Sequence, residues 1–414
     1  MCSRFEKEEL LTAKDAKNSR QGREALRRIA EWVTVLSPLG TDLPSISFGI
    51  DSLCLTDGQR NVILYAFRLG QVVRQSGASH DSRLGKESKL RVRVFYHDKC
   101  FDGASSAALF SRFYRERIRN DVQFEFTGLL HRAGALFDER QFDGDENAIV
   151  DFKYSSSPKI TWWFDHHESA FLSPEDAAHF EQDQGNRKFY DPDFKSCTSF
   201  IAMVAEQRFG FNAKSVADLV HWTDMIDGAL YEDAKTAVEM KAPAMKLTMV
   251  IESAPDSNFV PQLIPLLATE SLGEILEAPF VAPLLPPLLK RHELSIGILR
   301  ERTECKDATI FFDVTDHELE GYNKFIPYYL YPESIYSVGL SKSSFRVKVS
   351  VGSNPWAPSE PTVNLAKVCE RYGGGGHARV GAISFDVTKH GEARRAAFEI
   401  VEELRASVRG GAKG

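Results

Sequence analysis

Short β-branched and aromatic runs alternate along this chain with segments whose apolar residues recur every three or four positions. The runs at 91–96, 124–129, 148–152 and 160–164 predict strands, and helical spacing predicts helices over 104–117, 198–208 and 215–231. Strands alternating with helices point to a mostly parallel, doubly wound α/β sheet. Residues 234–302 read as helical and proline-interrupted, which suits a connector. A second α/β segment follows, with strands at 308–313, 334–341, 345–351 and 382–385 and helices at 363–371 and 391–408. Ahead of all this, Ser19 can cap a helix carrying Leu26, Ile29, Trp32 and Val33, and Asp57 can start another. The Gly- and Ser-bearing stretch 76–89 reads as a linker. The expected organisation is a helical N-terminal extension (1–90), a sheet domain (91–233), a helical connector (234–305) and a smaller α/β domain (306–414).

Ligand-type side chains fall where strands give way to loops or helices, the place where open α/β folds carry their chemistry. Asp165-His166-His167 follows the apolar run 160–164, and two adjacent histidines at a strand end cannot both point into the core. The first strand ends in His97-Asp98-Lys99-Cys100-Phe101-Asp102-Gly103, and the third in Asp151. Asp224 sits on a predicted helix, with Asp227 an equally acidic competitor three residues on. Each has a plainer reading: His97-Asp98 as turn chemistry, Asp151 as a helix cap, Asp224 as the partner of a nearby cation, Cys100 as a small buried residue. Taken together, carboxylates and imidazoles suit Mn²⁺ or Mg²⁺, and a pair of such ions about 3.5–4 Å apart can activate water and stabilise the leaving oxygen of a phosphoester.

Composition narrows the partners. Of 414 residues, 43% are hydrophobic and 26% charged, as in ordinary globular proteins, and the length allows two or three cored domains. A net charge of −7 argues against neutralising the phosphates of long duplex DNA, while leaving room for a small nucleotide met by a local basic patch. The six cysteines form no Cys-x-x-Cys pair, so a reducing compartment is the simpler reading. The charged N-terminus is unlike a signal peptide, and the most apolar stretch, 259–289, is broken by prolines and glutamates and is not a membrane span. A cytoplasmic protein with no membrane partner is expected.

The set His97…Asp102-Gly103, Asp151, Asp165-His166-His167 and Asp224 resembles the four motifs of the DHH phosphoesterase superfamily. The segment 371–381, with Gly373-Gly374-Gly375-Gly376-His377, resembles the Gly-Gly-Gly-His motif of the DHH-associated C-terminal domain. The resemblance covers about residues 91–390. It implies a metal-dependent phosphodiesterase, RecJ-like or nanoRNase-like, working with two Mn²⁺ ions, with Mg²⁺ or Co²⁺ as substitutes. By it, His97, Asp98, Asp102, Asp151, His166 and Asp224 would hold metal, Asp151 as the bridge. His167 would face the scissile phosphate and Asp165 would orient the imidazoles, while Gly374, Gly375, Gly376, His377 and Arg346 would grip substrate. The implied substrate is a short single-stranded oligonucleotide or small nucleotide, with cyclic dinucleotides or phosphoadenosine phosphate as alternatives and a homodimer allowed. A nucleotide-binding regulator with a degenerate metal site is the reading from a different class. Here Cys100 stands where the family frequently has an aspartate.

Overall fold

Five parallel strands, β1 (Leu90–His97), β2 (Val122–Leu129), β3 (Glu146–Val150), β4 (Trp162–Asp165) and β5 (Lys188–Tyr190), build the first sheet in the order β2-β1-β3-β4-β5. The computed structural model describes residues 89–131, 136–317, 319 and 321–411; the helices expected from Ser19 and Asp57 and the linker over 76–88 lie outside them. The central strands read as continuous apolar runs because both faces are covered. On one face Val92, Val94, Tyr96, Trp162 and Phe164 pack with helices α1 (Phe101–Arg117) and α3 (Cys197–Phe209). On the other, Phe95, Ile149 and Trp163 pack with Phe152, Tyr154 and Ala170, and the rim of this core receives α2 (Pro174–Glu181) through Phe180. Helix α2 starts where the Ser173 side chain accepts from Asp176 N, a side-chain cap with proline following. Helix α4 (Ala217–Asp227) closes the domain.

The connector is five helices: α5 (Ala234–Glu239), α6 (Pro243–Glu252), α7 (Phe259–Leu267), α8 (Leu272–Leu276) and α9 (Leu285–Arg302). Leu247 and Val250 of α6 and Leu263 and Ile264 of α7 join the first core, whereas Ala237 of α5 and Leu299 of α9 pack with Ile310, Phe312 and Phe325 further on. The connector is thus built into both halves by apolar burial.

The second sheet comprises β6 (Thr303–Lys306), β7 (Thr309–Asp313), β8 (Tyr336–Lys342), β9 (Arg346–Ser353), β10 (Gly375–His377) and β11 (Val380–Asp386), in the order β10-β11-β9-β8-β7-β6. Only β7 and β8 pair in parallel. Strand β9 alternates cleanly. Val347, Val349 and Val351 enter the core beneath α12 (His390–Gly411), which leaves Arg346, Lys348 and Ser350 on the opposite face. Helices α10 (Ile326–Leu330) and α11 (Leu365–Glu370) complete the domain. Within the glycine run, Gly375 and Gly376 belong to an edge strand paired with β11. Among the described residues, no helix is long and apolar enough to cross a membrane.

Candidate metal centre

Parallel register lines up the ends of three neighbouring strands. Tyr96 pairs with Val150, and Val150 with Phe164, so the next residues of β1, β3 and β4 (His97, Asp151 and Asp165) stand side by side. Asp151 leaves the strand with a positive φ of 56°, while its N–H still donates to Phe164 O at 2.9 Å. A non-glycine residue in this left-handed region carries about 1–3 kcal/mol of backbone strain unless its surroundings hold it there. The turn into α1 is equally close-packed. A Cβ on Gly103 would stand 2.1 Å from His97 O, so only glycine lets the helix start against the strand end.

Asp151 is buried at the middle of the cluster. Its Oδ2 lies 3.5 Å from His97 Nδ1, and its Oδ1 lies 3.6 Å from His166 Nε2 and 3.8 Å from His167 Nδ1. His166 Nε2 is also 3.6 Å from Asp102 Oδ2 and 3.6 Å from Asp227 Oδ2. Both Asp151 oxygens, His97 Nδ1 and His166 Nε2 are buried without a hydrogen-bond partner. Such atoms cost free energy unless something satisfies them. Ligands held about 2.1 Å from one ion at 90–120° stand about 3.0–3.6 Å apart, close to the spacing seen here. The residues therefore fit a divalent cation. The donors that converge are His97, Cys100 and Asp151 in one group, Asp151, His166 and His167 in a second, and Asp102, His166 and Asp227 in a third.

Neighbouring groups aim these donors. With its proton on Nδ1, His166 donates to Phe194 O at 3.1 Å, which leaves Nε2 to face the acids. Fully buried Asp165 accepts from His166 N (2.8 Å), His167 N (3.3 Å) and His167 Nδ1 (2.7 Å) through a single oxygen. Asp102 is held at the N-terminus of α3, accepting from Cys197 N (2.6 Å), Thr198 N (2.9 Å) and Thr198 Oγ1 (2.6 Å). Electrostatics follow from this crowding. Burial, with Asp151's charge second, pushes Asp102 well above the usual carboxylate range and Asp227 up to about 6. Burial also acts on Asp151, but the His166 and His97 imidazoles hold it down to about 2. Against burial, Asp151 and Asp102 lift His166 to about 10. A cation placed among the three acids would relieve their mutual repulsion.

Two residues expected to hold metal lie outside the converging groups. Asp224 Oδ1 accepts from Ser196 Oγ at 2.6 Å, and Ser196 caps α3. The last turn of α4 brings Asp227 to the cluster instead, one helical turn beyond Asp224. Asp98 turns toward β2: its Oδ1 accepts from Lys99 N at 2.9 Å, and a Cβ on Gly128 would stand 2.5 Å from its Cγ. Cys100, whose plainer reading is a small buried residue, is among the converging donors with His97 and Asp151.

In the second domain a cavity of about 490 Å³ opens over the polar face of β9, lined by Lys324, Lys342, Arg346, Lys348 and Arg379. Ala229, two residues past Asp227, also lines it, so the cavity reaches the chain segment that leaves the Asp/His cluster. Arg346 is on its wall, whereas Gly374, Gly375, Gly376 and His377 are not among its lining residues. The glycines answer to packing: a Cβ on Gly376 (φ 150°) would stand 2.2 Å from Val380 O, and one on Gly374 would stand 2.3 Å from Ala382 O. Lys348 was legible as a wall residue from the Arg-Val-Lys-Val-Ser-Val alternation at 346–351; Lys324 and Arg379 carry no such signal.

No protein-family model matches the sequence, and no curated protein matches it either. Solved structures do. The fold is similar to that of a pGpG-specific phosphodiesterase, PggH, from Vibrio cholerae, with 19% identity, a TM-score of 0.56, and coverage of 77% of this chain and 99% of that one. RecJ from Thermus thermophilus, solved in complex with Mn²⁺, matches with 13% identity and a TM-score of 0.46 over 84% of this chain and 55% of that one. An exopolyphosphatase-related protein from Bacteroides fragilis matches with 12% identity and a TM-score of 0.43 over 78% and 95%.

Proposed function

For a chain with the fold of the DHH phosphoesterases and their associated C-terminal domain, we propose divalent-cation-dependent hydrolysis of phosphodiester bonds in short single-stranded oligonucleotides or small nucleotides. One observation carries the reading: buried Asp and His atoms without hydrogen-bond partners converge at 3.5–3.6 Å, in a chain whose second domain carries a cation-lined cavity. The cation, with two Mn²⁺ ions as the first choice and Mg²⁺ or Co²⁺ as substitutes, supplies neutralisation of phosphoryl oxygens and a lowered pKa for water.

The chain's own residues divide the remaining work. Asp151, reaching toward His97 on one side and His166 on the other, would be the carboxylate shared between two cation positions. Asp102 and Asp227 would hold the second position with His166, Asp227 taking the part that family resemblance assigns to Asp224. His167, partly exposed and fixed through Nδ1 by Asp165, presents Nε2 outward to a phosphoryl oxygen. Arg346, Lys348 and Arg379 bind the phosphates and ribose oxygens of the neighbouring nucleotide and orient it for in-line attack.

The substrate favoured first is a linear dinucleotide. The named relative acts on pGpG, the cavity has the volume of a small-ligand site, and the net charge of −7 disfavours long duplex DNA. The test is turnover by chelator-treated full-length protein, with Mn²⁺, Mg²⁺ or Co²⁺ restored, of pGpG, labelled oligonucleotides, cyclic dinucleotides and phosphoadenosine phosphate. Metal-dependent release of mononucleotides from the dinucleotide is expected. Tight nucleotide binding without turnover in any of the three ions would overturn the enzyme and leave a binding protein.

A further inference from the structure

Resting on the phosphodiesterase reading, we propose that the two cation positions are chemically unlike, because Cys100 gives the position at His97 and Asp151 a thiolate ligand. Cys100 Sγ, a His97 ring nitrogen and an Asp151 oxygen all lie within 4.8 Å of one another. The thiol does not stand alone: His97 Nδ1 and both carboxylate oxygens of Asp151, itself 1% exposed, are buried around it without hydrogen-bond partners. The backbone accounts for why this residue is the one that arrives. Lys99 adopts a positive φ of 55°, Cys100 is extended ahead of α1, and Asp98 is turned toward Gly128 of β2.

A nitrogen–sulfur–oxygen donor set favours Zn²⁺ or Co²⁺, whereas Asp102 and Asp227 with His166 form an oxygen-rich set that accepts Mn²⁺ or Mg²⁺. The centre therefore becomes heterobinuclear in a mixed metal pool, with the softer ion at Cys100. As the Sγ–metal bond forms, the thiol proton passes to the buffer. Cys197 is a neighbouring control, since its buried Sγ donates to Phe164 O at 3.4 Å and belongs to none of the three donor groups.

The experiment is titration of chelator-stripped, full-length protein with Co²⁺ alone, read by absorption. Wild type should develop a near-ultraviolet sulfur-to-cobalt charge-transfer band together with visible d–d bands. Cys100→Ser should keep the d–d bands of the other position and lose the charge-transfer band, while Cys197→Ala should keep both. In competition, Cys100→Asp should shift the Zn²⁺-over-Mn²⁺ preference at one position by at least about tenfold, the low end of what even outer-shell changes cost a metal site. Wild type that binds Co²⁺ without the charge-transfer band, or a band that survives in Cys100→Ser, overturns the thiolate assignment and leaves the phosphodiesterase reading standing. Failure to bind Co²⁺, Zn²⁺ or Mn²⁺ at all overturns both.

Discussion

Asp224 and Asp227 lie one turn apart on α4, and the proposed reading gives them opposite jobs, so truncating each should separate metal binding from stability. Asp224 receives one hydrogen bond, from Ser196 Oγ at 2.6 Å, and Ser196 in turn accepts from Ser199 N at 3.0 Å to start α3. A hydrogen bond to a charged group contributes about 1.5–3 kcal/mol. Ser196 Oγ also lies 3.1 Å from Ser199 Oγ, an alternative acceptor, which argues for the low end of that range in Asp224→Ala. The thermal midpoint should fall by about 3–6 °C, at about 2–4 °C per kcal/mol, while divalent-ion affinity changes by less than about threefold. Asp227→Ala removes a donor 3.6 Å from His166 Nε2 and should weaken binding at one position by about tenfold or more. Its metal-free midpoint should not fall at pH 7. Burial and then Asp151 raise the Asp227 carboxyl to about 6, above its unfolded value, so its ionised form opposes the metal-free fold above that pH. Calorimetric ion titration and thermal unfolding with and without Mn²⁺ read both quantities. Loss of ion binding in Asp224→Ala with retention in Asp227→Ala would reverse the assignment and sink the reasoning.

Three further outcomes are expected. Asp151→Asn, chosen because asparagine tolerates the positive φ of 56°, should leave the fold intact but abolish hydrolysis and reduce bound metal, checked by elemental analysis and assay. Arg346→Ala should raise KM by about 10–100-fold at nearly unchanged kcat, the scale of a lost charge-assisted hydrogen bond, whereas His377→Ala, off the cavity wall, should change KM by less than about threefold. Gly376→Ala should lower the thermal midpoint by about 2–10 °C, since its Cβ would meet Val380 O; an unchanged midpoint would show that β10 is free to give way.

What the sequence made legible was whatever is buried on two sides or placed at a strand end. Runs such as Trp162-Trp163-Phe164 serve two cores at once, so hydrophobicity alone announces the strand. The short edge strands Lys188–Tyr190 and Thr303–Lys306 carry polar residues and gain most of their order from a neighbour, which a local window cannot see. The same limit governs the site. His97, Asp151, Asp165, His166 and His167 follow from strand ends, but the choice between Asp224 and Asp227 depends on Ser196, 28 residues from Asp224 in the chain. The glycine run was visible, and its cause was not: the demand comes from the backbone of β11.

The row formed by His97, Asp151 and Asp165 has a consequence for how this centre can change. These residues each follow a paired position (Tyr96, Val150 and Phe164) of a parallel ladder whose strands stand about 4.8 Å apart, so backbone hydrogen bonding sets where each one leaves the sheet. The frame is built by backbone pairing and needs no ion to form. A single-residue insertion in β3 would shift Asp151 out of line and dismantle the centre with every ligand still present in the chain.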